Sequence, residues 1–249
     1  MKIYSRILMF LLILFIISQS LLGQGLPTAK PEEVGLASKR LDRIRPIMQS
    51  YADQNKLPGL ITIVARHRKV VHFEKYGMQD DNQPMHFDTI FRIASMTKPI
   101  TSVVILILYE EGYFLLDDPI TKFIPEFNDI KVYSKMDKNE LVLVYPQKTI
   151  TIRDLLTHKS GLTYGSFGNT PVDSIYRKTN LFSGNLKEMI HKLSKIPLLY
   201  QPGTKWNYSV STGVLGYLVE VISGKSFDKF LEERIFKLLG MKDTGFYVP

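Results

Sequence analysis

The 249-residue chain contains no cysteine. That excludes a disulfide framework, thiolate-ligated zinc or iron–sulfur centres, and a thiol nucleophile. It leaves the compartment open, because exported proteins need not carry disulfides. There is no G-x-S-x-G elbow and no H-E-x-x-H pair. The five histidines, His67, His72, His86, His158 and His191, never fall four apart, which disfavours a zinc peptidase. No metal or other cofactor is expected. Acidic residues are outnumbered 24 to 32 by Lys and Arg, a formal charge of +8. Such a balance permits anionic partners without naming one. The cations are dispersed and no recognised nucleic-acid motif occurs, so no nucleic-acid partner is expected.

Long apolar runs are scarce too. The one that stands out, Ile7 to Ile17, follows Lys2 and Arg6 and is followed by Ser18, Gln19 and Ser20. That is the order of a secretory signal peptide over residues 1–24, with cleavage near Gly23. Eleven apolar residues are short for a bilayer span. Extending the run to Leu22 gives the alternative, an uncleaved N-terminal anchor. The expectation is an exported protein, periplasmic or extracellular, whose only tie to a membrane is this segment.

The chain as a whole is 45% hydrophobic, enough for a packed core. Leu41, Ile44, Ile47, Met48 and Tyr51 recur at helical spacing, predicting a helix over 38–55 despite Pro46. Leu60–Ala65 and Val70–Tyr76 read as strands of a hairpin around a basic turn. A long helix is expected over 95–110, and a loop or ribbon over 130–150. Thr151 should cap a short helix to His158, and further helices are expected over 185–196, 211–222 and 226–239. Residues 161–185 receive no assignment. Strands first and helices afterwards indicate an α+β fold with a helical subdomain.

Chemistry concentrates at Ser95-Met96-Thr97-Lys98. The i, i+3 spacing puts both side chains on one helix face. A helix N-terminus favours developing negative charge on the serine oxygen and offers the Ser95 N–H to an oxyanion. The following helix is apolar over most of its surface, so Ser95 and Lys98 are expected to lie deep. An N-cap serine with a snorkelling lysine is the bland alternative. A second match, Ser226-Phe227-Asp228-Lys229, is explained by Ser226 as an N-cap. The base is the difficulty, since an ordinary lysine near pKa 10.4 is almost wholly cationic at pH 7. Either burial neutralises Lys98, or its cation holds a tyrosine as phenolate. Tyr208, in Gln201-Pro202-Gly203-Thr204-Lys205-Trp206-Asn207-Tyr208-Ser209 just before a helix, is the candidate.

The segment from Asp88 to Thr101 closely resembles the nucleophile region of the beta-lactamase-related serine hydrolases, which include class C beta-lactamases, DD-peptidases and esterases. Further blocks agree in order: Glu110-Glu111-Gly112 to Leu116-Asp117-Asp118-Pro119, then Ile124-Pro125-Glu126-Phe127. After these come Leu155-Leu156-Thr157-His158-Lys159-Ser160-Gly161-Leu162, and Pro202-Gly203 to Tyr208-Ser209. The resemblance implies an α/β sandwich with an inserted, mainly helical domain. Within 25–249 it places the α/β part at 27–92 and the helical part at 93–240. It also implies Ser95 as nucleophile, Lys98 as proton partner and Tyr208 as general base. The substrate would be a small ester, a peptide or a beta-lactam-like molecule.

Two departures narrow the expectation. Beta-lactamases carry Tyr-x-Asn where this chain has Tyr208-Ser209-Val210, and Val210 has no amide for a penicillin side chain. An esterase-like or DD-peptidase-like activity is therefore expected over lactamase activity. The family's third motif, Lys-Thr-Gly or His-x-Gly on a later strand, is not met before Pro249; Lys159-Ser160-Gly161 precedes Tyr208 and is not it. The expectation is an N-terminal portion of such an enzyme, lacking the C-terminal part of the sheet and inactive alone. The alternative is a non-catalytic relative that binds peptidoglycan or a protein partner.

Overall fold

A computed structural model of the chain describes residues 25–247. The expected signal peptide lies outside the described residues. These residues form two compact units, one built from the chain up to Arg92 together with the segment from Leu239 onward, the other from Ile93–Leu238.

The first unit starts with α1 (Ser38–Leu41) and α2 (Ile44–Asp53). The single helix expected over 38–55 is thus broken in two. Pro46 has no N–H to bond the Asp42 carbonyl and its ring crowds that carbonyl, so the helix restarts with Pro46 in its first turn. Ile47 and Tyr51, expected on the apolar face, are exposed. Strands β1 (Gly59–Arg66) and β2 (Lys69–Gly77) pair antiparallel, and α2 packs against both. The turn is tighter than the sequence suggests. Two residues, His67 and Arg68, make it, both at positive φ, as a type I′ hairpin turn demands. Val70 also bridges Thr28 in parallel, with Ala29 N–H donating to the Val70 carbonyl at 2.9 Å. Ile63 and its cross-strand partner Phe73 remain exposed, as expected for a two-stranded hairpin.

The second unit is mainly helical. Helix α3 (Thr97–Glu110) is followed by the ribbon β3 (Val132–Asp137) and β4 (Glu140–Val144). Then come α4 (Ile152–Leu156), α5 (Pro171–Lys178), α6 (Leu186–Leu193), α7 (Ser211–Ser223) and α8 (Phe227–Leu231). A π-helical turn over Glu232–Phe236 replaces the end of the helix expected to reach Leu239. Thr151 caps α4 as expected, its Oγ1 accepting from the Asp154 N–H at 3.1 Å. Helix α5 falls in the stretch left unassigned, and Thr170-Pro171-x-Asp173 is a capping box with Pro at the first helical position.

Helix α7 is apolar nearly all round and contacts α3, α4, α6 and α8. That is the expected place for such a helix. Ile105 and Leu108 of α3, Leu155 of α4, Ile190 of α6 and Val214, Leu215 and Leu218 of α7 are all 1% exposed or less. Helix α3 is less buried than its composition suggests. Thr101, Val104, Ile105 and Leu108 face inward, while Val103, Leu106 and Tyr109 are exposed. Ser95 is consequently exposed and Lys98 half-buried, where deep placement was expected.

Candidate active site

Ser95 sits in a 3-10 turn, Ala94–Met96, that runs directly into α3. Residues three apart along a helical turn are neighbours on its surface. Lys98 Nζ accordingly donates to Ser95 Oγ at 3.1 Å. Ala94, just before the serine, holds φ at +43°. A left-handed alanine is unfavourable, and such strain concentrates where a turn must aim a functional side chain.

Tyr208 reaches the same point from a loop 113 residues away. Its Oη lies 2.7 Å from Ser95 Oγ. The Lys98 ammonium stands 4.8 Å from the Tyr208 ring centre and 5.9 Å from that of Tyr164. The adjacent Lys98 cation, then the Ser95 hydroxyl, hold the Tyr208 phenol below its ordinary value, against a smaller opposing effect of burial. Ser95, Lys98 and Tyr208, which the sequence singled out, are therefore within hydrogen-bonding or ionic reach of one another. The other S-x-x-K behaves differently. Lys229 Nζ donates to Glu232 Oε2 at 3.0 Å. Ser226 occupies the N-cap position of α8, yet its hydroxyl makes no cap bond and serves Asp228 instead.

The Tyr208 loop is laced to residues 158–163. Gly203 N–H donates to the Lys159 carbonyl at 2.7 Å, Asn207 N–H to that of His158 at 2.8 Å, and Leu199 N–H to that of Gly161 at 2.7 Å. The Asn207 side-chain amide donates to the Leu162 carbonyl at 2.9 Å. Gly161 is at φ +85°, and a Cβ there would run into the Tyr200 carbonyl oxygen. The glycine of the Ser160-Gly161-Leu162 block thus answers to backbone approach. Behind it, the buried hydroxyls of Ser160, Ser211 and Ser209 lead to His158 Nδ1 at successive spacings of 2.8, 2.8 and 3.2 Å. Burial first, and the Lys98 cation second, keep the His158 imidazole below its ordinary value.

One wall is aromatic. The Tyr164 ring stacks on Tyr208 at 5.8 Å and 19°, and Phe167 meets Tyr208 edge-on at 5.6 Å. The loop carrying them is clamped by Arg177 of α5, which donates to the carbonyls of Gly165 and Gly168 and to Asn169 Oδ1. Beneath it, buried Asp173 accepts from the hydroxyls of Thr163 and Thr170 at 2.6 and 2.7 Å. A cleft of about 190 Å³ opens beside Lys98, lined by Thr101, Tyr164, Phe182, Val210 and Gly213 among others. Val210 lines it with an apolar side chain where an amide would sit in Tyr-x-Asn.

Sequence reasoning did not single out His158, Tyr164 or Ser209. For His158 a signal existed, its place inside the Leu-Leu-Thr-His-x-Ser-Gly-Leu block. For Tyr164, one of 13 tyrosines, none did.

Comparison with known proteins places this arrangement. The Beta-lactamase family model matches residues 44–249. The chain is 36% identical over 211 residues to Protein Rv1367c of Mycobacterium tuberculosis, covering 84% of this chain and 52% of that protein. It is 32% identical over 228 residues to Esterase EstB of Burkholderia gladioli, covering 88% and 54%. Among solved structures, EstCE1, described as a hydrolase with promiscuous acyltransferase activity, superposes with a TM-score of 0.71 at 26% identity, over 84% of this chain and 53% of that one. The chain spans about half the length of the curated relatives it matches. With a family match over most of its length and an α+β architecture shared with EstCE1, the chain belongs to the beta-lactamase family.

Proposed function

We propose that Ser95, Lys98 and Tyr208 are the acylation machinery of a serine hydrolase acting on ester or amide acyl groups, with esters and D-alanyl peptides favoured over beta-lactams. The observation that carries this reading is Ser95 Oγ poised 2.7 Å from Tyr208 Oη and 3.1 Å from Lys98 Nζ. As a phenolate, Tyr208 takes the Ser95 proton while Oγ attacks the acyl carbon, and the Lys98 ammonium balances the phenolate charge. The oxyanion of the tetrahedral adduct meets the Ser95 N–H as one donor. When the adduct collapses, the bond to the leaving group breaks and the Tyr208 phenol returns its proton to that group. Tyr208 then activates water against the acyl-Ser95 ester, which releases the acid and restores the serine.

The apolar Val210 in the cleft supports esters over penicillins, whose side-chain amide would find no partner there. The leader-like run over residues 7–17 supports an exported location, periplasmic or extracellular. The test uses the protein in its full-length form. A fluorophosphonate probe should label it, and Ser95→Ala should abolish labelling. Absence of labelling, or labelling that survives the substitution, overturns the proposal. Short-chain esters or D-Ala-D-Ala peptides should turn over faster than nitrocefin; the reverse order would sink the reading of Val210.

A further inference from the structure

His158 is tied to both chain neighbours of Tyr208. Its carbonyl accepts the Asn207 N–H at 2.8 Å, and its Nδ1 lies 3.2 Å from Ser209 Oγ. Its ring lies 5.1 Å from the Tyr208 ring. It does this from φ +54°, a left-handed conformation uncommon for a residue with a side chain. A residue held in an unfavourable backbone state and bonded on either side of a reactive phenol has the geometry of a brace.

The hydroxyl chain behind His158 fixes its protonation. Three hydroxyl protons serve three links, Ser160–Ser211, Ser211–Ser209 and Ser209–His158. At the far end, Ser160 Oγ accepts the Leu162 N–H. Among the described residues Ser211 Oγ is the acceptor within its reach, so the Ser160 proton must point there. Ser211 must then donate to Ser209, and Ser209 to Nδ1. The opposite order would leave a fully buried Ser160 O–H without an acceptor.

We propose that His158 is the positioning residue for Tyr208, locked as the neutral Nε2–H tautomer by the one-way chain Ser160→Ser211→Ser209→Nδ1. The charged and titratable groups facing it are Lys98 on α3 and Tyr208 on its own loop. The Lys98 ammonium repels a second cation there. A neutral imidazole braces the phenol without that conflict. The kinetic consequence rests on the hydrolase reading above; the tautomer does not.

The test has two arms on the full-length protein. In the first, ¹⁵N NMR reads the imidazole, with His158 assigned by its loss in His158→Asn. A neutral Nε2–H ring that persists at about pH 6.5, where an ordinary histidine is half charged, is expected. An Nδ1–H ring or an imidazolium there overturns the proposal. In the second, the fluorophosphonate rate is split into binding and inactivation. His158→Ala should slow inactivation about 100-fold with binding changed less than about threefold. His158→Asn, whose Oδ1 can accept from Ser209, should recover to within about tenfold of the parent. Loss of less than about twofold in the alanine variant, or no recovery in the asparagine one, overturns it. Should His158→Ala fail to fold, Ser209→Ala removes the link while keeping the ring. It should slow inactivation and release the tautomer, and a locked tautomer at the parent rate counts against the brace. A locked tautomer with labelling indifferent to Ser95→Ala defeats the hydrolase reading alone.

Discussion

Replacing Lys98 with Met keeps the length and apolar stem of the side chain and removes its charge. Coulomb's law gives the size of the effect. Across the 4.8 Å to the Tyr208 ring, a unit charge is worth about 0.9 kcal/mol at the dielectric of water and about 3.5 kcal/mol at an effective value of 20. At about 1.36 kcal/mol per tenfold, phenolate at neutral pH should fall by roughly fivefold to a few hundredfold. Half-burial of Lys98 argues for the middle of that span. The sign follows from the direction of the shift. The Tyr208 phenol lies below its ordinary value because of Lys98 first and Ser95 second, and in the proposed mechanism the reactive form is the deprotonated one. Acylation should therefore rise with pH through the depressed value. In Lys98→Met that limb should move up towards an ordinary tyrosine near 10. The assay is the second-order rate of fluorophosphonate labelling from pH 5 to about 10.5, a range chosen to bracket the ordinary phenol. Tyr208→Phe should lose the limb. A Lys98→Met enzyme slowed at every pH with its limb unmoved would refute the reasoning that Lys98 sets the charge of the phenol.

Three further outcomes concern the scaffold. Gly161→Ala combines φ +85° with a collision at the Tyr200 carbonyl and should cost about 2–4 kcal/mol by urea unfolding. Gly224→Ala, at φ +69° in open space, should cost only about 1 kcal/mol, and equal losses would disprove the role of the collision. Burial raises the Asp173 carboxyl, but the bonds from Thr163 and Thr170 outweigh it, so its folded value lies below the ordinary 3.8. Its contribution is then present above 3.8 and lost as pH falls through the folded value; urea midpoints of Asp173→Asn and parent should converge in that acid window. Leu108→Ala opens a cavity at a site 1% exposed and should cost about 2–5 kcal/mol in thermal or urea unfolding; a loss under about 1 kcal/mol would show that the α3–α7 contact collapses to fill it.

Ser95 and Lys98 were legible in the sequence because their relation is local. Three residues along a helical turn bring the two side chains within reach of each other, although the same spacing leaves Lys229 on Glu232 and not on Ser226. Tyr208 carried a weaker local signal, its place at a loop-to-helix junction, and the family resemblance separated it from the other tyrosines. The tie of His158 to the Tyr208 loop was not legible, for a different reason. Its link to Ser209 spans 51 residues, and its conformation at positive φ is imposed by that packing. The elements show the same division. The hairpin and the helices at 152 and 186 announce themselves by alternation and capping. The depth of α3 could not be judged from its apolar composition, because burial depends on which faces the fold covers. Pro46 was read as tolerated, and it is, but only by restarting the helix.

The lacing of residues 158–163 to the loop that carries Tyr208 has a consequence for remodelling this protein. The two strips are one part in mechanical terms, although they lie roughly 40–50 residues apart along the chain. Grafting a Tyr208 loop from a relative would import carbonyl and amide positions cut to fit another strip, so the graft has to carry both strips together. By contrast, the tip of the β3–β4 ribbon, at Lys138 and Asn139, joins strands that among the described residues pair only with each other over that end. That tip is the place where added sequence would leave the phenol where it is.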